Sequence, residues 1–282
     1  MKIAFLQDFF ESEIIGGAEQ NDSVLLNFLN AQENLTVVPV HTYMVHSVIE
    51  CYDFFVVSNF VRLPEQVKQY LINKKNYIIY EHDHKYVKTR NPASFARFKI
   101  PEHEIINRSF YENAKKVFVL SEVCKEILED SLQLNNVHNI GCSLWSEEKL
   151  NTLRQINQSV DKNPDLKFAV LQSNNQVKGT QQALDFCQQK NIRPHYVGSP
   201  DYKTFMRQLA ESEHLIFFPQ VLETYSRLVV EAKILNCKIV TMPKMVGFFS
   251  EDYSELSGLK LLEKVTQQID DALVEFKKVI LS

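Results

Sequence analysis

The sequence predicts an α/β protein built from two doubly wound, Rossmann-like parallel halves. Two observations carry that prediction. Short runs rich in Val, Ile, Phe and Tyr, apolar on both faces, alternate with helical patterns along the chain. A polar stretch at 146–164, rich in Asn, Gln, Ser, Asp and Lys, interrupts the alternation, which then restarts.

In the first half, strands are expected at 2–6, 35–40, 54–58, 77–81, 117–121 and 137–141. Helices are expected at 18–30, where Val24, Leu25, Phe28 and Leu29 form an apolar stripe, and at 64–73 and 121–132. The polar connection carries a helix of its own. In the second half, strands at 168–172, 195–198, 215–219 and 238–242 alternate with helices at 180–190, 202–210 and 226–236. The tail repeats apolar residues at Val265, Ile269, Ala272, Leu273, Phe276, Val279 and Ile280, the spacing of a packed helix. The expected organisation is an N-terminal domain over 1–146, a C-terminal domain over 147–264, and a helix over 265–282 that packs back on the first domain. Ligands of such sheets lie outside the carboxyl ends of the strands, so a cleft between two facing halves is the expected site.

Composition removes several function classes. Of 282 residues, 45% are hydrophobic and 23% charged, which excludes a disordered, collagenous or coiled-coil chain. The net charge is -4, so no nucleic-acid partner is expected. No apolar run approaches the roughly 20 residues of a membrane span. The opening MKIAFLQDFFESE lacks a signal-peptide pattern. The cysteines stand singly at 51, 124, 142, 187 and 237, which fits neither a disulfide framework nor a zinc site. A cytoplasmic, reduced protein is expected. Glycine is rare, with 7 residues, so each one is informative.

Three segments have the residue types for chemistry. Gly16-Gly17-Ala18-Glu19 follows the first strand and opens a helix, where close backbone approach and free amides suit an anion. Its plain alternative is a tight turn. The dinucleotide-binding spacing fails at Ala18 and Asn21, which argues against an NAD enzyme. The second segment, 218–232, reads as strand, loop and helix. It carries Glu223 before the helix, Ser226 as a plausible N-cap, and Glu231 inside the helix among Leu228, Val229, Val230 and Ala232. Carboxylates are strong acceptors for sugar or ribose hydroxyls, and Glu231 in that apolar setting requires a partner. The third, Glu81-His82-Asp83-His84, sits at the carboxyl end of the fourth strand. Two histidines and two acids supply only part of a metal shell, so no metal is expected, and His82 and Asp83 read as acceptor-side polar groups. Beyond them, Lys85, Lys88, Arg90, Arg97, Lys99 and Arg108 with Tyr86, Phe95 and Phe98 form a basic stretch. Its ordinary reading is a solvated face; its functional one is contact with an anionic acceptor or a peripheral membrane surface.

The segment 218–232 resembles the Glu-x7-Glu motif of retaining GT-B glycosyltransferases of family 4. Gly16-Gly17-Ala18-Glu19 is similar to the N-terminal loop of that family. Val177-Lys178-Gly179 resembles its Lys-Gly element, and Leu120-Ser121 its last N-domain strand and helix start. The resemblance covers most of the chain in order and implies GT-B architecture. It implies transfer of a hexose-type sugar from a nucleoside-diphosphate donor such as UDP- or GDP-sugar to a saccharide, lipid-linked or other hydroxyl acceptor, with retention. The nucleotide sugar is a co-substrate, and neither cofactor nor metal is implied. Glu231 would hold ribose hydroxyls and Glu223 the transferred sugar. Lys178 would neutralise the departing diphosphate near the amides of Thr224, Tyr225 and Ser226. The loop after the strand at 195–198, beginning at Gly198, would lie beside the base.

The sequence departs from the family in four ways. Gln172 and Ser173 stand where Gly-Arg is usual, leaving Ser173 at a donor-side position and Arg227 as the replacement cation. Tyr225-Ser226 replaces Phe-Gly, Asn236 replaces a glycine, and a strand–helix unit is missing before 195. These departures keep two alternatives open: a non-catalytic nucleotide-sugar-binding protein, and a sugar-nucleotide epimerase of the same architecture.

Overall fold

A computed structural model of the chain describes residues 1–14, 16–47 and 49–282. Contacts divide it into two units, Met1–Trp145 with Gln268–Ser282, and Ser146–Gln267.

The first unit is built on a six-stranded parallel sheet. Its strands are β1 (Lys2–Gln7), β2 (Thr36–His41), β3 (Phe54–Val57), β4 (Tyr77–Tyr80), β5 (Val117–Val119) and β6 (Val137–Asn139), in the order β2-β1-β3-β4-β5-β6. Ile3, Phe5, Phe55, Val57 and Ile79 have no solvent-exposed surface, as strands covered on both faces require. Helices α1 (Gly17–Asn30), α2 (Glu65–Lys74) and α4 (Glu122–Leu132) match the expected segments. Short α3 (Arg108–Glu112) was not expected; it ends a long irregular connection that begins at Glu81.

In the second unit, α5 (Glu147–Ser159) starts at an N-cap where Ser146 Oγ accepts the Lys149 N–H. Then follow β7 (Phe168–Leu171), α6 (Thr180–Gln189), β8 (His195–Val197), α7 (Tyr202–Glu211), β9 (His214–Ile216), α8 (Arg227–Ile234) and β10 (Lys238–Val240). The parallel strand order is β10-β9-β7-β8. Val170, Ala183, Cys187 and Ile216 centre its core, and Phe186 and Phe218, edge to face with each other, pack against it. Only α6 joins β7 to β8, which is why this sheet has four strands.

The last helix, α9 (Gly258–Leu281), starts earlier than the 265 expected. Leu261 and Leu262 are fully buried and continue the apolar stripe backwards through the polar residues that hid it. From Gln268 on, this helix belongs to the first unit. There Phe276 packs on Phe118 at 4.0 Å and Tyr80 at 4.9 Å between ring centres. The five cysteines are free thiols, and no helix among the described residues is long and apolar enough to cross a membrane.

Candidate functional site

Strand order locates the ligand-binding edge of each sheet before any side chain is considered. A parallel sheet opens a crevice where successive connections leave a strand in opposite directions, at the carboxyl ends. In the second unit that point lies between β7 and β9. The loop after β7 contains Asn175, whose Oδ1 accepts the Val177 N–H at 3.2 Å and starts a turn over Gln176–Lys178. Gly179 closes the turn at φ 68°, and a Cβ there would collide with the Phe218 carbonyl just beyond β9. The Gln220 N–H donates to the Val177 carbonyl at 2.8 Å, so the loops after β7 and β9 are sewn together.

This stitching brings Lys178 Nζ to 2.8 Å from Glu223 Oε1 across 45 positions of sequence. Glu223 is held from behind, its N–H on the Met245 carbonyl and its own carbonyl on the Gly247 N–H. The lysine side chain is partly exposed and the glutamate largely covered. Two motifs singled out separately are therefore one ion pair at the sheet's switch point.

Glu231, expected to need a partner, has one: the Tyr202 hydroxyl donates to its Oε1 at 3.1 Å, and Arg227 Nη2 lies 4.0 Å from the same oxygen. Arg227 is thus turned along α8 toward Glu231, one helical turn away. Burial next to Glu231 pushes the Tyr202 phenol above its ordinary pKa, keeping it a hydrogen-bond donor. Ser226 differs from its expected role. It stands at the N-cap position with φ 73°, its Oγ has no hydrogen-bond partner, and no side chain caps α8. That backbone region is the one glycine favours, which explains why a glycine is usual there. The Tyr225 ring faces inward, its hydroxyl 2.7 Å from that of Tyr253 and its ring against Phe248, so only its main chain is available to a ligand. Thr224 is half-buried beside it. Ser173 Oγ accepts the Asn175 N–H at 3.2 Å, and the Gly198 N–H donates to Gln208 Oε1 at 2.9 Å.

In the first unit the switch point lies between β1 and β3. Asp8, just past β1, accepts the Val61 and Arg62 N–H groups at 2.8 and 3.1 Å and the Thr42 hydroxyl. Ser58, just past β3, donates to Asp22, and His82 Nε2 lies 3.0 Å from Asp22 Oδ1. Asp22 and Ser58 are fully buried. Gly16 and Gly17 open α1 as expected, and the Glu19 carboxylate folds back over Gly16. Burial raises the Glu19 carboxyl above its ordinary pKa, and the nearby Asp22 charge adds to the rise.

His82 and Asp83 part company. Successive residues at a strand end point in opposite directions. His82 turns inward onto Asp22, whereas Asp83 pairs with Lys85 Nζ at 2.5 Å and Arg90 at 2.9 Å. Lys85 also reaches Glu81 at 3.1 Å, and Glu81 accepts the Tyr111 hydroxyl. Burial alone would discharge Lys85, but the Asp83 and Glu81 carboxylates outweigh it and hold the ammonium above its usual pKa. Among the described residues, no group of three or more His, Cys, Asp or Glu forms a metal shell.

Sequence reasoning missed Asp22 and Tyr202. Asp22 had a signal, because it falls at helical spacing with Leu25 and Leu29 on the buried stripe of α1. An acid at such a position demands a partner. Tyr202 carried none, since its partner is 29 residues away.

No protein-family model matches the chain, and no curated protein does. Solved structures do. Sucrose-phosphate synthase from Thermosynechococcus elongatus matches with a TM-score of 0.62 and 12% identity, covering 99% of this chain and 98% of its own. The Anabaena protein HepE, solved with UDP and glucose, matches at 0.52 and 13% identity over 98% of this chain and 100% of its own. An alpha-glucosyltransferase solved with UDP and a 13-mer DNA containing a HMU base matches at 0.52 and 10% identity over the full length of both. The chain has the GT-B fold. At these identities the likeness concerns the fold alone.

Proposed function

We propose that this protein is a metal-independent glycosyltransferase. It transfers a hexose-type sugar from a nucleoside-diphosphate donor to an acceptor hydroxyl with retention, in the manner of family 4. The observation that carries the reading is the Lys178–Glu223 pair at the switch point of the second sheet. It unites a cation for a leaving diphosphate with an acceptor for sugar hydroxyls. Glu231, held by Tyr202 within the same unit, supports a ribose site.

In the reaction the bond from the anomeric carbon to the diphosphate oxygen breaks, and a bond to the acceptor oxygen forms on the same face. The acceptor proton passes to the leaving phosphate. Lys178 and the amides of Thr224, Tyr225 and Ser226 stabilise the charge that develops there. Glu223 orients the sugar, and Glu231 anchors the nucleotide. His82 is the acceptor-side group of the first unit. Asp83, already engaged by Lys85 and Arg90, shapes the loop around it.

UDP is the donor nucleotide to test first, because it is bound in both HepE and the alpha-glucosyltransferase. Thermal unfolding is to be followed with UDP, GDP, ADP and CMP, and transfer from the matching hexose donors assayed with EDTA present. A ligand at 100 times its Kd adds about 2.7 kcal/mol. Selective stabilisation by one nucleotide, lost in Glu231→Ala, and product whose anomeric coupling matches the donor are expected. Absence of both stabilisation and transfer sinks the reading. Stabilisation without transfer supports the non-catalytic binding protein instead, and interconversion of free nucleotide sugars without acceptor supports the epimerase.

A further inference from the structure

Around His82 lies a cluster of buried charges that takes no part in the chemistry of transfer. The side chains of Glu81 and Lys85 are each 2% exposed. The Lys85 ammonium lies 3.1 Å from Glu81 Oε1 and 2.5 Å from Asp83 Oδ1, so it grips the residues on both sides of His82. Glu81 Oε1 also accepts the N–H groups of Asp83 and Lys85, at 2.9 and 3.3 Å. His84 stands in the left-handed region at φ 58°, and this reversal lets Lys85 return to Glu81 four positions earlier. The turn is anchored from outside as well. The Tyr111 hydroxyl donates to Glu81 Oε2, the Asn107 side chain donates to the Lys85 carbonyl at 2.8 Å, and the Phe60 ring lies 5.3 Å from the ammonium. His82 itself has its ring centre 4.2 Å from that of Tyr80 and its Nε2 3.0 Å from Asp22 Oδ1.

We infer that Lys85 is a positioning residue, whose ammonium clamps Glu81 and Asp83 so that the turn presents His82 to Asp22. The catalytic meaning of the clamp rests on the glycosyltransferase reading; the clamp itself does not. The sheet does not place His82. The ladder of β4 ends with the Glu81 N–H on the Phe118 carbonyl at 2.8 Å, one residue short of it. Stability does not explain the charges either. Desolvating an ammonium and a carboxylate costs about what their attraction returns, and apolar side chains of the same volume serve a core as well or better. Beside Phe60 a methionine would pack like the lysine stem. What the ammonium adds is direction, because charge-assisted hydrogen bonds tie it to two particular oxygens. Burial would raise the Glu81 carboxyl, but the Lys85 charge outweighs it and holds the group below its ordinary pKa, so the clamp is ionic.

The test reads His82 directly in the whole protein. Long-range ¹H–¹⁵N spectra of the histidine rings are recorded for the native chain, Lys85→Met and Glu81→Gln/Lys85→Met. His82→Gln assigns the signal, and Asp22→Asn marks where it moves once the Asp22 contact is lost. Lys85→Met strands two carboxylates without their buried cation and can fail to fold; the double variant replaces the pair by neutral side chains of similar size. Thermal unfolding, UDP titration, kcat and donor KM are measured alongside. The double variant should keep its Tm within a few degrees and bind UDP as the native chain does. Its His82 signal should move toward the Asp22→Asn position, and kcat should fall roughly 10- to 100-fold with donor KM within roughly twofold. A His82 signal at its native position in a folded Lys85 variant overturns the inference, and so does an unchanged kcat. Unfolding of the double variant overturns it too, because the pair would then serve the fold. Absence of turnover in the native chain removes the transferase reading while the His82 signal still decides the clamp, so the two fail separately.

Discussion

Replacing Lys178 by alanine deletes the ammonium that sits 2.8 Å from Glu223 Oε1. The fold should scarcely register the loss. The lysine is 36% exposed, and partly exposed ion pairs are worth about 0–1 kcal/mol. For a chain of this size that is a shift of only a few degrees in Tm. Turnover should register it strongly. A unit charge about 4 Å from a developing phosphate charge, at an effective dielectric near 20, is worth about 4 kcal/mol. Removal of one such stabiliser typically lowers kcat by roughly 10² to 10³. The assay is donor kcat and KM by product formation, alongside thermal unfolding. Lys178→Ala also leaves Glu223 without its cation, and that carboxylate could repel the donor diphosphate. Lys178→Ala/Glu223→Gln separates the two effects. If the ammonium acts on the leaving group, the double variant stays at least as slow as Lys178→Ala. Recovery of kcat in the double variant would show that Lys178 merely neutralises Glu223, and the reasoning would be refuted.

Three further outcomes are expected. Glu231→Ala should raise the Kd for the donor nucleotide more than tenfold and destabilise the fold by about 1 kcal/mol, because it strips the half-buried Tyr202 hydroxyl of its acceptor; Tyr202→Phe should weaken nucleotide binding in the native background but not in Glu231→Ala, which calorimetric titration of all three variants checks. Asp22→Asn removes the carboxylate that orients His82 and receives the Ser58 hydroxyl; kcat should fall about tenfold with donor KM little changed, and an unchanged kcat in a folded variant would reduce Asp22 to a purely structural residue. Burial lowers the His138 pKa below 6.5, so the unfolded chain binds the extra proton first and stability is lost as pH falls from 6.5 through the folded value; His138→Gln should flatten that part of the urea-midpoint curve, and an unchanged slope would place the pH dependence elsewhere, with His195, lowered in the same way, as the next group to test.

The strands were legible because parallel strands buried on both faces leave uninterrupted apolar runs, a signal needing no long-range information. The expected strand ends overran at 215–219, where Phe217 is still apolar and buried but the ladder has already stopped. What stayed hidden is held by partners distant in sequence. The connection from Glu81 to α3 is organised by Lys85 between Glu81 and Asp83 and by Tyr111 on Glu81. No local pattern encodes that arrangement, and its cations read as a solvated basic stretch. The Lys178 and Glu223 motifs were each visible, but their contact was not. It depends on a turn after β7 lying against the loop after β9, which strand order decides.

Glycine scarcity sharpens the meaning of the glycines that remain. The chain reaches the left-handed backbone region without glycine at Lys75, Gln133, Asn191, Ser226 and Asn236, among others. Each such residue carries strain of about 1–2 kcal/mol. A sequence that tolerates this at helix ends places glycine elsewhere for a stronger reason. At Gly16 the obstacle to a Cβ is the end of the Glu19 side chain, which can swing aside. At Gly179 it is the Phe218 main-chain carbonyl, which cannot move without unseating the loop that leads to Glu223. Asparagine or lysine would satisfy the φ of 68° there but not the space. The requirement for glycine at 179 therefore comes from the close approach of the two loops, the same approach that sets Lys178 against Glu223. In this chain a glycine beside a lysine reports the geometry of the site rather than the shape of a turn.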